Sequence, residues 1–138
     1  MRRAPIDERL TAIPLFQHLT DKQLATVASL ATVLDIGAGR ELIREGQVGR
    51  EFFLVVEGEA EVTRDGEHVA NLGPGTFFGE TALLLDQPRN ANVVATTDMV
   101  VEVIERRDFK GLLEEYPDLY APLLAATAEQ LADGSAAS

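Results

Sequence analysis

A mainly β domain flanked by helices, built as an antiparallel β-roll of the jelly-roll kind (a double-stranded β-helix), is what this sequence predicts. Three observations carry the prediction. Between residues 32 and 105, glycines at 37, 39, 46, 49, 58, 66, 73, 75 and 79 punctuate short β-prone segments. Strands this short, with turn signals at roughly 8–12-residue spacing, belong to a sandwich or barrel. On either side, over 6–31 and 107–132, apolar residues fall at helical spacing instead. The chain of 138 residues is one domain's worth. At that size it buries roughly two-thirds of its unfolded surface, enough for a core.

The elements follow in order. Leu10 and Ile13 lie three apart before Pro14, and Thr20 reads as an N-cap with Gln23 completing a capping box. Leu24, Val27, Ala28 and Ala31 then give one apolar helix face, ending near Ala31. Strands are expected over Val33–Ile36, Glu41–Arg44, Phe52–Glu57, Glu59–Thr63, His68–Leu72, Asn92–Thr96 and Met99–Ile104. Asp65-Gly66 is a hairpin turn signal, and Gly58 marks a bulge or a tight reversal. Phe109, Leu112 and Leu113 form the face of a helix that Pro117 ends near Tyr116. Leu119, Leu123, Leu124, Thr127 and Leu131 form the next, with Pro122 in its first turn. Residues 133–138 are small and polar and are expected to be a flexible tail. Residues 1–132 make a single domain with no internal repeat.

Composition excludes several functions. The net charge is −11, and no Lys/Arg cluster is larger than Arg106-Arg107, so neither nucleic acid nor an anionic membrane surface is an expected partner. By net charge alone, an anion is poorly steered toward this chain, and its association should not slow as salt rises. No run approaches the ~18 apolar residues of a membrane span. Met1-Arg2-Arg3 is followed by Ala4-Pro5-Ile6-Asp7-Glu8 rather than by an apolar stretch, so no secretion signal is expected. There are no cysteines, which removes disulfides, thiolate metal sites and cysteine nucleophiles and fits the cytoplasm. His18 and His68 are the only histidines and stand in no metal-binding pattern. Ser29 lies in a helix, and Ser135 and Ser138 lie in the tail, none in a nucleophile elbow. Glu57/Glu59 and Glu114/Glu115 read as solvated faces. No catalytic constellation is found, and a non-enzymatic protein with neither metal nor cofactor is expected.

One stretch asks for a ligand. Gly79 lets backbone come close without a Cβ in the way. Thr81-Ala82-Leu83 would present backbone N–H groups at a helix start, which suits an anion. Arg89 supplies a planar, permanently charged fork for phosphate. Glu80 would repel phosphate but accept hydrogen bonds from a sugar hydroxyl. Glycine, carboxylate, helical turn, Pro88-Arg89 and Ala91 all fall between residues 79 and 91. The combination calls for an anion attached to a ribose.

Gly79-Glu80-x-Ala82-Leu83-x4-Pro88-Arg89-x-Ala91 resembles the phosphate-binding cassette of cyclic nucleotide-binding domains, with unbroken spacing. Glu45-Gly46 and Phe52-Phe53-Leu54-Val55-Val56-Glu57-Gly58-Glu59-Ala60-Glu61-Val62 resemble the early strands of the same family, and the resemblance runs over residues 10 to 132. It extends to the N-terminal domain of catabolite activator-like regulators, whose DNA-reading helix-turn-helix has no counterpart within these 138 residues. The resemblance implies that Arg89 pairs with the cyclic phosphate, that backbone amides around Ala82 and Ala91 help hold it, and that Glu80 accepts from the ribose 2′-OH. Phe78, Gly79, Thr81 and Asn90 complete the expected ligand-binding set. Tyr120, Leu123, Leu124 or Thr127, on a C-terminal lid, would cover the base.

Two positions depart from the family pattern. Asn90 stands where Ala, Ser or Thr is usual, and Thr81 replaces an aliphatic residue. Asn both donates and accepts, so base selectivity stays open, and cAMP is favoured over cGMP by analogy. The resemblance implies a receptor whose C-terminal helices move on ligand binding and signal to a protein effector, as a monomer or as a homodimer through the C-terminal helix. Such a protein is either a stand-alone sensor or part of something larger; Met1 and the polar tail favour the former. The alternative is a protein-interaction module that keeps the fold without the ligand.

Overall fold

The computed structural model describes residue 16 and residues 19–125, apart from the side chain of Thr81. The first helix, α1, spans Asp21–Leu30. Its capping box forms as expected: the Gln23 amide donates to Thr20 Oγ1 at 3.2 Å, and the Thr20 amide donates to Gln23 Oε1 at 2.9 Å. Each bond satisfies an amide that the helix start would otherwise leave open. Leu24 and Val27 are its buried residues. The expected helical residues Leu10 and Ile13, the residues Thr127 and Leu131, and the tail 133–138 lie outside the described residues.

Eight strands follow. They are β1 (Thr32–Ile36), β2 (Glu41–Ile43), β3 (Glu51–Glu57), β4 (Ala60–Arg64), β5 (Glu67–Leu72), β6 (Phe77–Phe78), β7 (Asn92–Ala95) and β8 (Met99–Glu105). They form two four-stranded antiparallel sheets, ordered β1-β8-β3-β6 and β2-β7-β4-β5. The chain thus forms the expected β-roll. Seven strands match the predicted segments to within a residue at each end; β6 was not predicted.

The difference between the sheets was already written in the side-chain pattern. Strand β3 reads Phe52-Phe53-Leu54-Val55, apolar without alternation, and all four are buried. A strand covered on both faces shows such a run. Phe53 and Val55 enter the core inside the roll, with Ala60, Val62, Phe78, Val93 and Val101. Phe52 and Leu54 enter a second core under the helices, with Val27, Leu83, Ile104, Phe109 and Leu112. Strand β4 alternates instead: Ala60 and Val62 are buried, while Glu61 and Thr63 are partly exposed. Its sheet is covered on one face only.

The turns confirm two expectations. Asp65 (φ 54°) and Gly66 (φ +81°) both lie in the left-handed region between β4 and β5, as a two-residue hairpin of this hand requires. Gly58 has φ +83°, and a Cβ there would run into the Asp98 carbonyl. The β3–β8 register shifts at Val55/Glu57, beside it.

After β8, helix α3 (Arg106–Glu115) buries Phe109, Leu112 and Leu113. Pro117 then begins a 3-10 turn, Pro117–Leu119, and the chain is helical again from 120 through 125. Leu119 therefore belongs to this turn rather than to the following helix.

Candidate functional site

The cassette follows β6. Adjacent strand residues face opposite ways: Phe77 enters the helix-side core and Phe78 the roll core. Phe78 stacks on Phe53 with ring centroids 4.7 Å apart. Gly79 comes next, with φ +95°, as N-cap of the six-residue helix α2 (Glu80–Leu85). A Cβ on Gly79 would come within 2.8 Å of the Glu51 carbonyl oxygen and 3.0 Å of Arg89 Nη1. Close approach and positive φ both demand glycine here. Helix α2 closes at Asp86, itself left-handed at φ 50°. The Asp86 carboxylate accepts from Arg106 and, at 3.0 Å, from Lys110 Nζ, tying the end of α2 to α3.

Arg89 is 5% exposed. Its Nη1 donates to the Gly79 carbonyl at 2.9 Å, and its Nη2 to the Glu51 carbonyl at 2.7 Å. Its backbone is held as firmly. The Arg89 amide donates to Gln47 O, and the Gly46 amide to Arg89 O, both at 2.8 Å. Burial lowers the pKa of the guanidinium from its ordinary value; the negative charges of Glu51 and Glu80 oppose that shift. Arginine stays charged in any case. Arg89 lines a cavity of about 500 Å³ together with Leu42, Arg44, Gln47, Val48, Arg50 and Glu51, among others. Gly49 is buried behind it, where a Cβ would come within 2.8 Å of Ala82 Cβ and 3.2 Å of Arg89 Cζ.

The expected site residues thus fall into groups. Gly79, Glu80, Ala82, Arg89 and Ala91 are all buried, Glu80 and Ala91 with no exposed surface, Ala91 in the roll core; of the five only Arg89 lines the cavity. Phe78 packs inside the roll rather than facing the cavity. Asn90 is exposed, and its carbonyl accepts from Arg64 Nε at 3.0 Å. Leu123 is buried in the helix-side core, beside Leu112, Leu119 and Phe109. Tyr120 and Leu124 are 43% and 53% exposed, and neither lines the Arg89 cavity. Thr127 lies outside the described residues. His68 pairs with Glu61 at 2.8 Å on the outer sheet, and no metal-holding group occurs among the described residues.

Gly49 and Glu51 escaped the sequence reading. Glu51 contributes a carbonyl, which any residue type carries, so no side-chain pattern marks it. Gly49 was legible only as one glycine among many; its position six residues after Ile43 and two before β3 becomes informative once β3 is placed beside Arg89.

The family model described as "Cyclic nucleotide-binding domain" matches residues 33–116. The cAMP-dependent protein kinase regulatory subunit of Yarrowia lipolytica is 40% identical over 114 residues, which is 81% of this chain and 30% of that protein. Across the curated relatives compared, the chain spans between 24% and 31% of their length. Among solved structures, one described as "Sp-2Cl-cAMPS bound to PKAR CBD2" superposes with TM-score 0.80 at 26% identity, covering 93% of this chain and 85% of that one. The regulatory subunit of a cAMP-independent protein kinase A from Trypanosoma brucei superposes with TM-score 0.75 at 28% identity, covering 83% and 44%.

Proposed function

The chain belongs to the cyclic nucleotide-binding domain family, and from that premise we propose that it is a non-enzymatic receptor for a cyclic nucleotide, with cAMP favoured over cGMP. The observation that carries this reading is Arg89: a nearly buried guanidinium, fixed by two backbone carbonyls, in the wall of a cavity large enough for a nucleotide. The family resemblance suggests the residue roles. Arg89 takes the cyclic phosphate, with amides near Ala82 and Ala91. Glu80 accepts from the ribose 2′-OH. Gly79 and Thr81 border the sugar, and Asn90 bears on the base.

Signal output passes through the C-terminal helices to a protein effector in the cytoplasm. The ion pairs of Asp86 with Arg106 and Lys110 join the cassette helix to α3 and support a route by which movement of one would reach the other. A ligand can shift these states only by its differential affinity for them. For the base, Tyr120, Leu124 and Thr127 remain the lid residues of this reading, and Leu123 would have to leave the core to join them. No helix among the described residues is long and apolar enough to cross a membrane.

A second reading, a protein-interaction module without ligand, is favoured by two observations. A regulatory subunit described as cAMP-independent has the same fold, and Asn90 departs from the usual residue beside the arginine. Titration calorimetry with cAMP and with cGMP separates the two. The wild type is expected to bind, and Arg89→Ala is expected to lose about 2–5 kcal/mol of affinity as a buried charge-assisted contact disappears. Equal binding by both proteins would sink the Arg89 assignment. Failure of the wild type to bind either nucleotide would favour the module.

A further inference from the structure

Arg89 alone is a poor attractor of anions. Its two terminal nitrogens are engaged by the Gly79 and Glu51 carbonyls. The carboxylates of Glu51 and Glu80 are near enough to act on its ionisation. Both carboxylates act against the positive field that Arg89 would present to a phosphate. The chain as a whole, at −11, adds an unfavourable long-range field. A site meant for an anion needs positive charge at its approach.

Arg50 stands at that approach. It is exposed and lines the same cavity as Arg89. It also lines an adjoining cavity of about 470 Å³, together with Arg106 and Arg107. Its backbone is pinned on every side. Gly49, just before it, packs against Ala82 and Arg89. Glu51, just after it, accepts from Arg89. Its own carbonyl accepts from the Arg106 amide at 2.7 Å. Other arginines on these walls are already paired: Arg44 with Glu41, and Arg106 with Asp86. Arg50 and Arg107 have no ion pair among the described residues, and of the two only Arg50 lines the Arg89 cavity.

Resting on the reading of Arg89 as the phosphate-holding residue, we propose that Arg50 is a second anion-recognition residue of this site, drawing an anionic ligand into the cavity where Arg89 holds it. A fork fixed at its backbone but exposed at its tip can meet a phosphate before Arg89 does. Its contribution is to the ligand's charge rather than to base or sugar, so it acts alike on cAMP and cGMP. It also reverses the expectation from net charge: association should be steered by the local arginines and should slow as salt rises.

Stopped-flow binding of a fluorescent cAMP analogue tests this with wild type, Arg50→Ala, Arg50→Lys and Arg89→Ala. At low salt, Arg50→Ala is expected to slow association about tenfold, with little change in dissociation. Arg50→Lys should retain most of the rate, and the wild-type advantage should fade with salt. A thermal melt of Arg50→Ala should match wild type, since the side chain is exposed. Equal association by wild type and Arg50→Ala at low salt, or a wild-type rate flat in salt, would overturn the proposal while leaving Arg89 in place. Undiminished binding by Arg89→Ala, or no binding by wild type, would overturn the phosphate reading and the role of Arg50 with it.

Discussion

The two ends of the candidate site are built to different standards. Arg89 itself is fixed: side chain and backbone both hydrogen bond, the neighbouring Gly49 and Gly79 admit no Cβ, and the residue is buried. At the C-terminal helix, Tyr120 and Leu124 are exposed, and Leu123 belongs to the core beneath. The part that would grip phosphate and sugar is preorganised, which lowers the cost of ordering on binding. The part that would meet the base is not. On the proposed reading, the contrast teaches that the groups meeting phosphate and sugar would be held by rigid structure, while the base would be left to an exposed surface.

Three substitutions break or sharpen this comparison. Leu123→Ala comes first. If Leu123 serves the core, it should cost about 2–5 kcal/mol of folding stability, read as a lowered denaturation midpoint, with no change in the ratio of cAMP to cGMP affinity. A changed ratio at unchanged stability would move Leu123 to the base side. Next is Gly79→Ala, which forces a side chain into positive φ and against the Glu51 carbonyl. A loss of about 1–3 kcal/mol in stability is expected, with weaker nucleotide binding; a neutral outcome in both would show the cassette to be less rigid than drawn. The smallest effect belongs to Asn90→Ala. It should change the cAMP-to-cGMP affinity ratio by about tenfold at most, near 1.4 kcal/mol, and leave the melting temperature unchanged, because Asn90 is exposed. An unchanged ratio would remove Asn90 from base selection.

Much of this was legible in the sequence, for identifiable reasons. The capping box of Thr20 and Gln23, the Asp65-Gly66 turn and the helix stop at Pro117 are local, so a few residues suffice to specify them. Strand β6 escaped because Phe77–Phe78 is two residues long, wedged between Gly73-Pro74-Gly75-Thr76 and Gly79, and two residues show no period. In the cassette, Gly79 and Arg89 could be named as candidates because a side chain, or the lack of one, marks them. Gly49, Arg50 and Glu51 arrive from nearly forty residues upstream, partly through backbone atoms, and only the fold brings them to Arg89. Leu119 and Leu123 are both buried, but Leu119 lies in the 3-10 turn and Leu124 is exposed, so helical spacing predicted neither the break in the helix nor what each residue packs against.

Phe77 and Phe78 carry a further consequence. They are neighbours that anchor in different cores, immediately before Gly79. A slip of one residue would turn each ring toward the wrong core. The cassette is therefore indexed to the sheet like a key cut for two locks. Exchange of an exposed side chain such as Asn90 or Arg50 leaves that register untouched. A gained or lost residue that shifted Phe77 and Phe78 out of register would unseat both cores together.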